Sequence, residues 1–83
     1  MEKSLKALAN RRRLAILKYL KNTGESSVGD VAQEIHLSFK STSRHLAVLH
    51  GRDIVEREQR SSQAFYRLAA SHVPAVQRII SLL

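Results

Sequence analysis

Cysteine and tryptophan are absent from this 83-residue chain, proline occurs once and glycine three times. Without cysteine there are no disulfides, the usual support of small secreted domains, and no thiolates for soft metals. A domain this small buries only roughly 65–70% of the surface of its unfolded chain. Its stability has to come from well-packed helices or a partner subunit. The four histidines are widely spread, which disfavours a closed tetrahedral zinc site. No apolar run approaches the ~18 residues of a membrane span. Lys3, Lys6 and Arg11 to Arg13 break up any signal-peptide core. The expectation is one cytoplasmic domain over residues 1–83, with no cofactor, no metal and no membrane partner.

Acidic residues are also scarce. Seven Asp and Glu face 14 Lys and Arg, giving a net charge of +7. Such an excess favours a polyanionic partner. The charge is unevenly placed. Residues 1–23 and 40–52 are basic, and the acidic block at 24–39 lies between them. Low-complexity segments, long linkers and internal repeats are all missing.

Periodicity supplies the elements. Residues 4–9 read as a short helix with Leu5, Leu8 and Ala9 on one stripe. Asn10 caps a second helix whose Ile16, Leu17 and Leu20 share a face, and Gly24 ends it. Arg13 lies at the edge of that face, where an intramolecular carboxylate is its expected partner. Two roles stay open for Arg11 and Arg12: phosphate contact or a solvated helix end. Ser27 caps a third helix to about Ile35, with Asp30 in capping-box position. Gly29 inside it costs roughly 1 kcal/mol against alanine.

Ser38 then caps a fourth helix to about Arg52. Thr42, Leu46 and Leu49 face inward with Phe39 beside them, while Lys40, Ser41, Ser43, Arg44 and Ala47 form the opposite face. Two helices joined by so short a turn make a helix-turn-helix. Residues 54–59 and 63–68 read as the two strands of a β-hairpin around Arg60, Ser61 and Ser62. Ser71 is a candidate cap for a final helix, with Pro74 in its first turn. Val73, Val76, Ile79, Ile80 and Leu83 make that helix apolar over a broad face that asks for a partner. The fold class is mainly α with a β-hairpin wing, in the order α-α-α-α-β-β-α: a winged helix-turn-helix.

Three segments then carry a resemblance. Leu8-Ala9-Asn10-Arg11-Arg12-Arg13-Leu14-Ala15-Ile16-Leu17 has Asn followed three residues on by Arg, then Ile-Leu. Ser43-Arg44-His45-Leu46-Ala47-Val48-Leu49 fits a Ser-Arg-His-Leu-x-x-Leu recognition helix. Ile54-Val55 and Phe65-Tyr66-Arg67-Leu68 fit a wing at matching spacing. Over nearly its whole length the chain resembles the ArsR-type bacterial winged-helix repressors, which are small homodimers.

The resemblance implies sequence-specific binding of double-stranded DNA, with the fourth helix in the major groove. Lys40, Ser41, Ser43 and Arg44 are the expected readers, Arg44 first, as a bidentate partner of guanine. Arg60 and Ser62 are the expected wing contacts. Family members often carry Gly-Arg where this chain has Ser61-Ser62, which implies a wing contact either shifted to Arg60 or weakened. The family dimerises through its terminal helices, which implies Leu5, Leu8, Val76, Ile79, Ile80 and Leu83 at the interface and an imperfectly palindromic operator.

The departures bear on sensing. Many metal-sensing members carry Glu-Leu-Cys-Val-Cys-Asp-Leu on the third helix, where this chain reads Glu25-Ser26-Ser27-Val28-Gly29-Asp30-Val31. The frame remains and both thiolates are gone, so thiolate sensing there is excluded. A second family site needs Asp and His pairs on the terminal helix, and His72 alone cannot build it. His45 reads as a packing or hydrogen-bonding residue. The sequence names no small-molecule or protein effector. Rival readings are a winged helix for protein contacts, which Lys40 and Arg44 disfavour, and an RNA-binding winged helix, which needs stacking aromatics on an exposed sheet. No nucleophile–base pair or phosphate loop points to an enzyme.

Overall fold

In the computed structural model, which describes residues 2–83, five helices and three strands follow one another. They are α1 (Glu2–Leu8), α2 (Arg11–Thr23), β1 (Glu25–Ser27), α3 (Val28–Ile35), α4 (Phe39–Gly51), β2 (Val55–Arg60), β3 (Gln63–Leu68) and α5 (Pro74–Ser81). This is the winged helix-turn-helix order expected, with one strand added. Helix starts follow side-chain chemistry. Asn10 Oδ1 accepts from the backbone N–H of Arg12 and Arg13 at 3.0 and 3.2 Å. Ser27 and Ser38 each cap the helix that follows them through their Oγ, at 3.2 and 3.1 Å. Gly24 closes α2 at φ +86°, a backbone conformation that favours glycine.

The α3–α4 turn is closed by His36 at φ 56°, with the Leu37 N–H returning to the Ala32 carbonyl at 3.0 Å. Ile16, Leu17, Leu20, Val31, Leu46 and Leu49 then meet in the core, each 1% exposed or less. Thr42 is fully buried among them, and its Oγ1 has no hydrogen-bond partner.

The added strand is β1. It pairs with β3 in an antiparallel sheet of order β1-β3-β2, with Glu25 opposite Arg67 and Ser27 opposite Phe65. Three residues, two of them serine, are too short for a period-two signal. Ser27 therefore serves twice, as the last residue of β1 and the cap of α3.

Three further expectations change. Ser71 does not cap α5: the helix begins at Pro74, and Val73 before it is extended at ψ 150° with no side-chain cap. A residue preceding proline is steered out of the helical region, which delays the start. Phe39 does not pack inward; it is 62% exposed, because no earlier turn of α4 covers its first residue. Finally, Leu8, Val76 and Ile80 lie in the protomer's own core at 4%, 1% and 4% exposure, so they cannot form an outer apolar face. The apolar carbon exposed on the α1–α5 side comes from Leu5, Val73 and Leu82, with Ile79 and Leu83 half-buried. Lys21 Nζ ties α5 down, donating to the carbonyls of Ile80 and Ser81 at 3.1 and 3.3 Å. No described helix is long and apolar enough to cross a membrane.

Candidate nucleic-acid interface

Burial of Thr42, Leu46 and Leu49 fixes the rotation of α4. The opposite side then has to carry Lys40 and Arg44, both exposed, with Ser41 and Ser43 half-buried between them. Among the described residues neither cation enters an ion pair. Two charges thus stand one helical turn apart on a face with no acidic residue of its own.

The hairpin treats its charges in the opposite way on its two faces. On the outer face Arg60 reaches Glu25 at 2.8 Å and Glu58 at 2.9 Å. Its guanidinium also lies 4.7 Å from the centre of the Phe65 ring. Arg67 completes the network with Glu56 at 3.0 Å, Glu58 at 3.2 Å and Glu25 at 3.3 Å. Hydrogen bonding from Arg60, with its charge, holds the Glu58 carboxyl below its ordinary range, and the Glu58 and Glu25 carboxylates raise the Arg60 guanidinium in turn. Arg60 therefore braces β1, β2 and β3 together. Ser61 and Ser62 form the turn beyond it, with Ser61 at φ 52° and both residues exposed.

The inner face carries a cation that the sequence reading passed over. Arg57 pairs in register with buried Tyr66, so its side chain leaves β2 on the side of α4. Its Nη2 donates to Gln59 Oε1 at 2.8 Å, a neutral partner. Arg57, Gln59 and Ser62 share one cleft with Ser43 and Phe39. The signal was present: strand parity places Arg57 and Gln59 with Val55 rather than with Glu56 and Glu58. The expected wing pair is thus divided, with Ser62 lining the cleft and Arg60 engaged on the far face.

A separate link joins α4 to the rest of the body. Arg13 does not find the carboxylate expected of it. Its Nε donates to His45 Nδ1 at 3.1 Å and its Nη1 to the Ala7 carbonyl at 3.3 Å. His45 is accordingly a hydrogen-bonding residue. Burial first, then the Arg13 and Arg12 charges, lower its pKa below the ordinary histidine value. An unprotonated Nδ1 is what the Arg13 bond requires.

Metal ligation finds no such convergence. Among the described residues no three His, Asp or Glu side chains gather around one point. Both His72 nitrogens are engaged, Nε2 with the Ile54 carbonyl at 2.9 Å and Nδ1 with the Gln77 amide at 3.2 Å. Ser27 and Gly29 offer a capping hydroxyl and no side chain respectively.

Comparison with known proteins agrees with this architecture. The transcriptional activator HlyU of Vibrio cholerae is 37% identical over 76 residues, covering 92% of this chain and 69% of that protein. The structure of its reduced form superposes with a TM-score of 0.79 at 38% identity, over 95% of this chain and 79% of the other. A homodimeric winged helix-turn-helix DNA-binding domain from Mycobacterium bovis gives a TM-score of 0.81 at 32% identity, over 98% and 71%. The antimony-specific transcriptional repressor AntR gives 0.80 at 29% identity, over 95% and 68%. Residues 10–57, from the cap of α2 into the wing, match the arsR family of bacterial regulatory proteins, and the chain belongs to that family.

Proposed function

We propose that the chain is a homodimeric, sequence-specific repressor that binds double-stranded DNA at an imperfect palindrome. Family membership makes it a transcriptional regulator and not an enzyme. The observation that carries the finer reading is the unpaired pair Lys40 and Arg44 on the outward face of α4. With α4 in the major groove, Arg44 reads guanine, and Lys40, Ser41 and Ser43 hold bases or phosphates. The sugar–phosphate ridge between major and minor groove then runs along the cleft between α4 and the hairpin. Arg57 and Ser62 meet it there, and Arg60 stiffens the wing from behind.

Exposed Leu5, Val73 and Leu82, with Ile79 and Leu83 beside them, support a dimer through the α1–α5 side. A two-fold axis there sets two copies of α4 about one helical turn of DNA apart. Repression needs nothing more than occupation of a promoter by that dimer. With no cysteine in the sequence, none of these residues senses a metal through thiolate. An RNA-binding reading is disfavoured, because Phe65 on the sheet's outer face lies under Arg60 rather than open to a base.

Selection of bound sequences from random duplex DNA, with and without zinc, tests the proposal. A palindromic consensus, an affinity falling steeply with salt and no response to zinc are expected. Binding with no preferred sequence and no salt slope refutes it.

A further inference from the structure

Of the four phenylalanine and tyrosine rings in the chain only Phe39 is exposed, at 62%. It opens α4, one turn before Ser43 and next to Lys40, and it lines the cleft with Arg57 and Ser62. The ring contributes nothing to the core, and its neighbours at the surface are largely polar, among them Lys40, Ser43, Arg57, Gln59 and Ser62. Its surroundings are cationic, so the occupant that the charge favours is an anionic polymer with an apolar group to offer. In the major groove only thymine presents one, the C5-methyl.

We propose that Phe39 is a specificity-determining residue that receives the C5-methyl of a thymine in each half-site. The inference rests on the DNA-binding reading above and adds an apolar reader to the charged ones. It has a definite chemical signature. Phe39 senses a methyl group and no hydrogen-bonding edge, so it does not separate thymine from 5-methylcytosine by that contact. It does separate thymine from uracil and 5-methylcytosine from cytosine.

The test uses the full chain and the duplex it enriches from the random pool, with affinity read by fluorescence anisotropy. Each thymine is replaced in turn by deoxyuridine, which removes the methyl alone. One position per half-site is expected to lose about fourfold in affinity, and both together about fifteenfold. At that position cytosine binds more weakly than 5-methylcytosine by a similar factor. Phe39→Ala is expected to fold, its melting temperature near that of the wild type, since the ring is outside the core. It should bind the thymine duplex about as weakly as wild type binds the uracil duplex, and show no further loss on the change to uracil. A uracil scan that is flat for the wild type overturns the inference with no variant needed. A uracil penalty that persists in Phe39→Ala also overturns it, since the methyl is then read elsewhere. Enrichment of no duplex at all overturns the DNA-binding reading and this inference together; the other two outcomes overturn this inference alone.

Discussion

Separate replacement of Arg57 and Arg60 by alanine tests the proposal that Arg57 meets DNA while Arg60 holds the wing. Arg57 donates to a neutral amide oxygen, so its charge is free to replace counterions on a phosphate. Arg60 sits 2.8 Å and 2.9 Å from two carboxylates and would have to leave both to do the same. Each phosphate contact contributes about 0.9 to the slope of log affinity against log salt. A dimer with one Arg57 contact per protomer therefore owes about 1.8 of its slope to this residue. Between 50 and 200 mM salt the advantage of wild type over Arg57→Ala should shrink by about tenfold. Anisotropy titrations of one enriched duplex at four or five salt concentrations measure it. Arg60→Ala is expected to lower the melting temperature, by loosening β1 and β2 from β3, while changing the slope less than Arg57→Ala does. A large loss of slope in Arg60→Ala with none in Arg57→Ala refutes the division of labour between the faces of the hairpin.

Three other outcomes follow from the same structure. Thr42 is fully buried with an orphaned Oγ1, and such an orphan costs about 1–3 kcal/mol; Thr42→Val should raise the melting temperature by roughly 5–10 °C, and an unchanged or lower value argues for a hidden hydroxyl partner. Ile79→Asp should leave a folded monomer in sedimentation, whereas Ile80→Asp, at a position 4% exposed, should fail to fold; a folded dimer from Ile79→Asp removes that face from the interface. The lowered pKa of His45 means that the unfolded chain takes up its proton first as pH falls, so the His45 contribution is intact above the ordinary value of 6.5 and is lost on acidification through the folded value. Thermal melts from pH 7.5 to 5 should therefore fall more for wild type than for His45→Gln, and an NMR titration that places His45 above its ordinary value contradicts the Arg13 contact.

Much of this arrangement was legible before any coordinates. The helix-turn-helix follows from buried stripes at helical spacing, and Thr42, Leu46 and Leu49 sit where the wheel put them because several turns of core enforce their phase. Phe39 lies near the same stripe on the wheel and yet faces outward, because at the first residue of a helix no neighbouring turn covers it. On α5 the difficulty is different. With apolar residues around most of the helix, periodicity cannot say which stripe belongs to the protomer's core; Val76 and Ile80 fill it and leave Ile79 at the edge. From the sequence, its place at the turn singles out Arg60 as the wing cation and passes over Arg57. The face of each follows from strand parity and from Glu25, which only the three-residue β1 brings within reach.

That same strand and the cap of the third helix meet at Ser27. Ser27 stands in a position where metal-sensing relatives of the resembled pattern have cysteine, and here its Oγ accepts the Asp30 N–H while its backbone pairs with Phe65. Removing such a cap costs about 1 kcal/mol, so the hydroxyl is already committed to holding α3. Gly29 adds no side chain, and a Cβ there would meet nothing within 4 Å. The start of α3 is thereby joined to β3, and through Arg60 and Arg67 to β2. Helix α3 in turn seats α4. Helix α4 and the wing are thus linked through α3 and β1 by capping, strand pairing and ion pairs. On the opposite side of the protomer Arg13 makes a second link, joining Ala7 of α1 to His45 of α4.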